Sequence, residues 1–151
     1  MVCASEQHVL TTSGTQFLIG GLTVPLVATL GINNKVAFLE KFGTGPPNST
    51  GAYELDLSLT DHFELAWREM HVKTDVFCSG SLILPDKGGR QLNVGGWSLD
   101  STFGVRLYTP DGSPGVNGTN DWEENVNELS LQVRNSAGCF LLFQCSHALQ
   151  T

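Results

Sequence analysis

Basic residues are scarce in this chain: 8 Lys and Arg stand against 15 Asp and Glu, for a formal net charge of −7. A surface of that sign repels the phosphate backbone, and no run of Lys or Arg overrides it, so nucleic acid is excluded as a partner. Cysteine is scarce too. Cys3, Cys78, Cys139 and Cys145 are too few and too unevenly spaced for a disulfide framework, and no CxxC or His/Cys spacing suggests zinc. Long apolar runs are missing: CFLLFQC at 139–145 falls far short of the ~20 residues that a membrane span requires. The opening stretch MVCASEQHVLTTSGTQ has neither the basic n-region nor the apolar h-region of a secretory signal, so none is visible in this chain.

What the chain has in quantity is glycine, 17 residues, with six prolines and many short runs of Val, Leu, Thr and Phe. These are the ingredients of strands and turns, and they predict an all-β protein of at most one domain in 151 residues. An approximate internal repeat organises the strands. KVAFLEK at 35–41, GAYELDLSL at 51–59 and Trp67 form one unit. Gln91–Gly95, GVRLYTPDG at 104–112 and Trp122 form the second. Phe38 to Val94, Gly51 to Gly104 and Trp67 to Trp122 are spacings of 56, 53 and 55 residues, close to the ~50 of a kelch-type blade. Ahead of the second unit, VFCSGSLIL at 76–84 is joined to QLNVGG through Pro85 to Arg90, turn chemistry that predicts a β-hairpin. Gly95-Gly96, Tyr108 and Trp122 complete a kelch-like signature, in which paired glycines allow close backbone packing and the aromatics fill the space between sheets. A closed propeller needs about 4–8 blades, and two units cannot close a ring.

Three residues stand out as candidate sites. Asn48-Ser-Thr and Asn117-Gly-Thr satisfy the glycosylation sequon, each in a Gly- and Pro-rich loop. Cys78 sits in a run of hydrophobic and small residues; by its surroundings alone it is a small buried hydrophobe.

The segment FCSGSLILPDKGGRQLNVGGWSLDSTFGVRLYTPDGSPGVNGTNDWEENVNELSLQ closely resembles the N-terminal part of fungal glyoxal oxidases, which are galactose-oxidase-like copper radical oxidases on a seven-bladed kelch propeller. The resemblance covers about residues 16–132. It implies a partial propeller of about two blades, with residues 1–15 unassigned. It also implies a secreted parent enzyme that oxidises small aldehydes or alcohols with O2 to give H2O2, with copper as cofactor. In that family the cysteine of the FCSG motif, here Cys78, forms a thioether to a copper-ligating tyrosine. Sulfur on the phenol ring delocalises the radical that carries the second electron, and imidazole and oxygen donors suit Cu(II).

The chain departs from that pattern at its end. After Gln132 it reads VRNSAGCFLLFQCSHALQT, without the RWY motif whose tyrosine is the thioether partner in that family and with no tyrosine beyond Tyr108. His8, His62, His71 and His147 match none of the copper-ligand motifs, and Tyr53 and Tyr108 read as packing residues. Residues 133–151 are therefore expected to be a non-family tail, such as intron read-through at a GT-initial valine codon, with a genuine short isoform as the alternative. This chain itself is expected to be inactive and to hold no copper, with exposed blade edges open to self-association. The alternative is a non-catalytic kelch module that binds a protein or glycan through its loops.

Overall fold

The structure, a computed structural model, describes residues 17–97 and 99–130, with only the backbone at Leu99. The N-terminal segment 1–16 and the tail, with His8, His147, Cys3, Cys139 and Cys145, lie outside the described residues. Within them the chain is mostly β. The strands are β1 (Val27–Leu30), β2 (Lys35–Phe42), β3 (Thr50–Asp56), β4 (Trp67–Val72), β5 (Gly80–Ile83), β6 (Gln91–Val94), β7 (Val105–Tyr108) and β8 (Trp122–Asn125). They form two four-stranded antiparallel sheets in simple meander order, β1-β2-β3-β4 and β5-β6-β7-β8. Two single-turn helices, α1 (Phe63–Ala66) and α2 (Leu99–Thr102), and two 3-10 turns, Leu57–Leu59 and Gly115–Asn117, sit in the connections. The two sheets do not by themselves close a barrel or a propeller.

Alternation along the strands decides which residues meet. Ala37, Leu39, Ala52, Met70 and Val72 point from the first sheet toward the second, where they pack with Val76, Tyr108 and Trp122. Burying a Leu or Met side chain completely contributes about 1.5–3 kcal/mol, so this layer is the main apolar support of the pair. The opposite face of the first sheet is covered locally: Leu55, Ala66 and Trp67 pack with Ile19, Val36, Phe38, Leu57 and Leu59. Among the described residues the second sheet has no such cover of equal quality. On its outer face Leu82 and Leu107 flank Leu92 in register, and Leu82 is 50% exposed.

The repeat expected from the sequence exists, with one correction in its register. Val36, Leu55 and Trp67 are cross-strand neighbours in the first sheet, and Gln91, Tyr108 and Trp122 are cross-strand neighbours in the second. Phe38, Tyr53 and Glu69 answer in the same way to Asn93, Arg106 and Glu124. Phe38 is therefore equivalent to Asn93, one residue before the expected Val94. A slip of one residue exchanges the two faces of a strand, and apolar content alone drew Phe38 to Val94. With the register set, the outer face of the first sheet corresponds to the inner face of the second, so the units stack with like faces pointing the same way.

Two further expectations are adjusted. The hairpin across Pro85–Arg90 is present, with Leu84 N–H donating to Arg90 C=O at 2.8 Å. Its first strand, however, begins at Gly80, because residues 76–79 form a turn. The strand expected at 51–59 ends at Asp56, whose side chain accepts from Ser58 N–H and opens a 3-10 turn. Strand β1 had no alternating pattern strong enough to announce it.

Candidate functional site

The connection from β4 to β5 and the loop from β6 to β7 lie at the same end of the stacked sheets, and they meet there. Phe77 N–H donates to Asp75 Oδ1 at 2.9 Å and Ser79 N–H to Val76 C=O at 3.0 Å, closing a tight turn. Val76 anchors the turn in the core with no exposed surface. Asp75 N–H donates to Ser101 Oγ at 2.9 Å, and Asn93 Nδ2 donates to Ser79 Oγ at 2.7 Å. Gly96 passes so close beneath the turn that a Cβ there would overlap Asp75 C=O and the Ser101 side chain. This close approach is the physical need behind the second glycine of the Gly95-Gly96 pair.

The turn is held from inside by a buried arginine. Arg106, with no exposed surface, donates to Asn93 Oδ1 (2.9 Å), Gly95 C=O (2.7 Å), Asp75 C=O (3.0 Å), Thr74 Oγ1 (2.8 Å) and Glu124 Oε1 (3.2 Å). Burial lowers its pKa, opposed by the Glu124 charge, the hydrogen bond to Glu124 and the charge of Asp75. Glu124 in turn accepts from Lys73 N–H, Thr74 N–H and Thr74 Oγ–H. The charge is thus matched and its donors are saturated, which makes this cluster a clamp between the sheets.

What the anchored turn shows to solvent is aromatic. Phe77 is 43% exposed and Trp97 58% exposed, and their rings meet edge to face with centroids 6.2 Å apart and an interplanar angle of 84°. Two large rings on neighbouring loops, both at the surface, with Phe77 on the anchored turn and Trp97 next to the closely packed Gly96, make a corner. The sequence reading missed both. Their only signal was two aromatics flanking a glycine-rich segment, and nothing in the pattern says that they face outward.

Cys78 occupies the next position in that turn. It is half-buried and takes a left-handed φ of 64°, uncommon for a residue other than Gly, Asn or Asp. Tyr53 lies half-buried on β3, and its phenol pKa is raised by burial and by the charges of Glu40 and Glu69. Tyr108 is 1% exposed, donates to Glu54 Oε2 at 2.5 Å and accepts from Arg68 Nη2 at 2.9 Å. Burial and the bonded Glu54 carboxylate push its pKa well above the usual phenol value. Arg68 continues to Asn120 C=O at 2.7 Å and Gly118 C=O at 3.3 Å, so a second clamp joins the sheets at their opposite end. His62 and His71 are exposed, and His71 Nδ1 lies 2.7 Å from Asp121 Oδ2. Among the described residues no group of three or more His, Cys, Asp and Glu could hold a metal ion. Asn48 and Asn117 are both exposed, at opposite ends of the sheets.

The chain is 66% identical over 116 residues to a WSC domain-containing protein of Arthroderma benhamiae (strain ATCC MYA-4681 / CBS 112371). The match covers 77% of this chain and 13% of that relative, so the chain spans a small part of the fungal protein. No family profile and no solved structure matches. The first of these findings corrects the reading of the chain as a truncated glyoxal oxidase: the fungal relative is named for a WSC domain and not for an oxidase. With that resemblance overturned, the copper, aldehyde and hydrogen peroxide chemistry attached to it is withdrawn, and the thioether role of Cys78 loses its support.

Proposed function

We propose that this chain is a non-catalytic recognition module of a larger extracellular WSC-domain-containing protein, and that it binds neutral saccharide on the Phe77–Trp97 corner. The single observation that carries the reading is that exposed ring pair on its anchored turn. Sugar rings present faces of C–H groups that stack on the electron-rich face of an indole or phenyl ring, while their hydroxyls need acceptors nearby. The Asp75 carboxylate in the same turn is such an acceptor. Anchoring by Arg106, Asn93, Ser101 and Val76 spares the ordering cost that a mobile loop would incur on binding. A net charge of −7 disfavours acidic polysaccharides.

In the same proposal the two sheets are kelch-type blades of a propeller. The matched register of the two units, and their stacking with like faces in the same direction, support it. The test is affinity electrophoresis of the chain through gels containing neutral polysaccharides (β-glucan, mannan, xylan), beside Trp97→Ala and Phe77→Ala. Retardation on at least one, weakened about tenfold by Trp97→Ala, is expected, which corresponds to ~1.4 kcal/mol. Migration unchanged on every polysaccharide, or equal retardation of Trp97→Ala, would reject the reading.

A further inference from the structure

The two sequons are equivalent in sequence and unequal in the folded chain. Asn48 lies in the exposed β2–β3 hairpin loop with a φ of 59°. The hydroxyl two residues on belongs to Thr50, which has no exposed surface, opens β3, and donates its hydroxyl to Thr74 C=O at 2.7 Å. Its backbone is paired on both sides, with Phe42 and with Val72. Ser49, between them, is held by two bonds to Pro46 C=O, from its N–H at 3.0 Å and its Oγ at 2.6 Å.

Asn117 is the exposed last residue of a 3-10 turn in the long β7–β8 connection. Its partner hydroxyl is on Thr119, which is exposed and whose Oγ lies 3.2 Å from Asp111 Oδ2, itself at the surface. No strand pairing involves residues 117–119. The segment is held by side-chain bonds, from Arg68 to Gly118 C=O and Asn120 C=O and from Thr119 N–H to Asp111, so a transferase that draws the asparagine amide and the threonine hydroxyl into its cleft breaks those bonds but no strand ladder.

We propose that Asn117 is an N-glycosylation site that stays open in the folded protein, whereas Asn48 accepts a glycan only before β3 pairs with β4. The donor is a lipid-diphosphate-linked oligosaccharide. The Asn117 side-chain nitrogen forms the new bond to the sugar C1, the C1–oxygen bond to the diphosphate breaks, the lipid diphosphate leaves, and one amide proton is lost. Because Asn117 lies at the end of the sheets opposite Phe77 and Trp97, a glycan there leaves the aromatic corner accessible.

The experiment uses the unglycosylated full chain, folded, with purified oligosaccharyltransferase and a lipid-linked oligosaccharide donor. The same chain held unfolded in a denaturant concentration the transferase tolerates, and peptides spanning 42–54 and 112–124, are run beside it, and occupancy is read by peptide mass after glycosidase conversion of Asn to Asp. Modification of the folded chain at Asn117 alone, lost in Thr119→Ala and retained in Asn48→Gln, with both sites modified in the peptides, is the expected result. Modification of the folded chain at Asn48, or absence of modification at Asn117 in folded chain or peptide, overturns the proposal.

Discussion

Gln91 is the residue whose environment fits it least. It has no exposed surface, and neither its amide oxygen nor its amide nitrogen has a hydrogen-bond partner among the described residues. Its counterpart in the first sheet is Val36, an apolar residue on an apolar face. Leaving a buried polar group unsatisfied costs about 1–3 kcal/mol, so replacing it with a similar-sized hydrophobe removes the penalty. Gln91→Leu is expected to raise unfolding stability by about 1 kcal/mol, read from the denaturation midpoint at unchanged slope. Arg106 is the opposite case: five acceptors surround its guanidinium, and Lys cannot reproduce the planar fork. Arg106→Lys should lower stability by about 3 kcal/mol, and the same variant should broaden or shift the Trp97 fluorescence, since the turn beneath Phe77 loses its anchor.

At the scale of elements, the join between β2, β3 and the 3-10 turn Gly115–Asn117 depends on one carboxylate. Asp56 accepts from Lys35 Nζ at 2.7 Å, Gly115 N–H at 2.8 Å and Ser58 N–H at 2.9 Å. Burial opposes its ionisation, but the hydrogen bonds from Lys35, Ser58 and Gly115 outweigh it, and its pKa falls well below the ordinary carboxylate value. A depressed folded-state pKa means stability that is complete above the unfolded value of about 3.9 and is lost as pH falls below it. Acid unfolding of Asp56→Asn should therefore be flatter below pH of about 4 than that of the wild type, measured by circular dichroism against urea at several pH values. The paired glycines give a second element-scale outcome. Gly96→Ala should cost about 2 kcal/mol or more, because the added methyl meets backbone at Asp75 and cannot be accommodated by a rotamer change.

For the whole molecule, the two sheets differ in how their outer faces are finished. The first is covered by Ile19, Leu57 and Leu59. The second presents Leu82 on edge strand β5 at 50% exposure, beside half-buried Leu92 and Leu107. An apolar face next to an open strand edge favours pairing with another chain. Sedimentation velocity of the isolated chain should show concentration-dependent association that Leu82→Lys reduces, and an ideal monomer at every concentration would contradict this.

The sequence alone determined the β class, the two-unit organisation and the hairpin across Pro85–Arg90. Those depend on local chemistry: branched and aromatic residues in short runs, and Gly and Pro where the chain must turn. Trp67 and Trp122 were legible as equivalent because each opens the fourth strand of its sheet. Tertiary structure decided what local patterns do not encode. Asn93 rather than Val94 answers to Phe38, since strand register follows from which face is buried. Glu54, Arg68 and Tyr108 come together from three strands in two sheets. Phe77 and Trp97 stay outside, while their neighbour Val76 is the one that enters the core. A sequon reads the same at Asn48 and Asn117, and only the pairing of β3 with β4 distinguishes a threonine hydroxyl that is buried from one that is open.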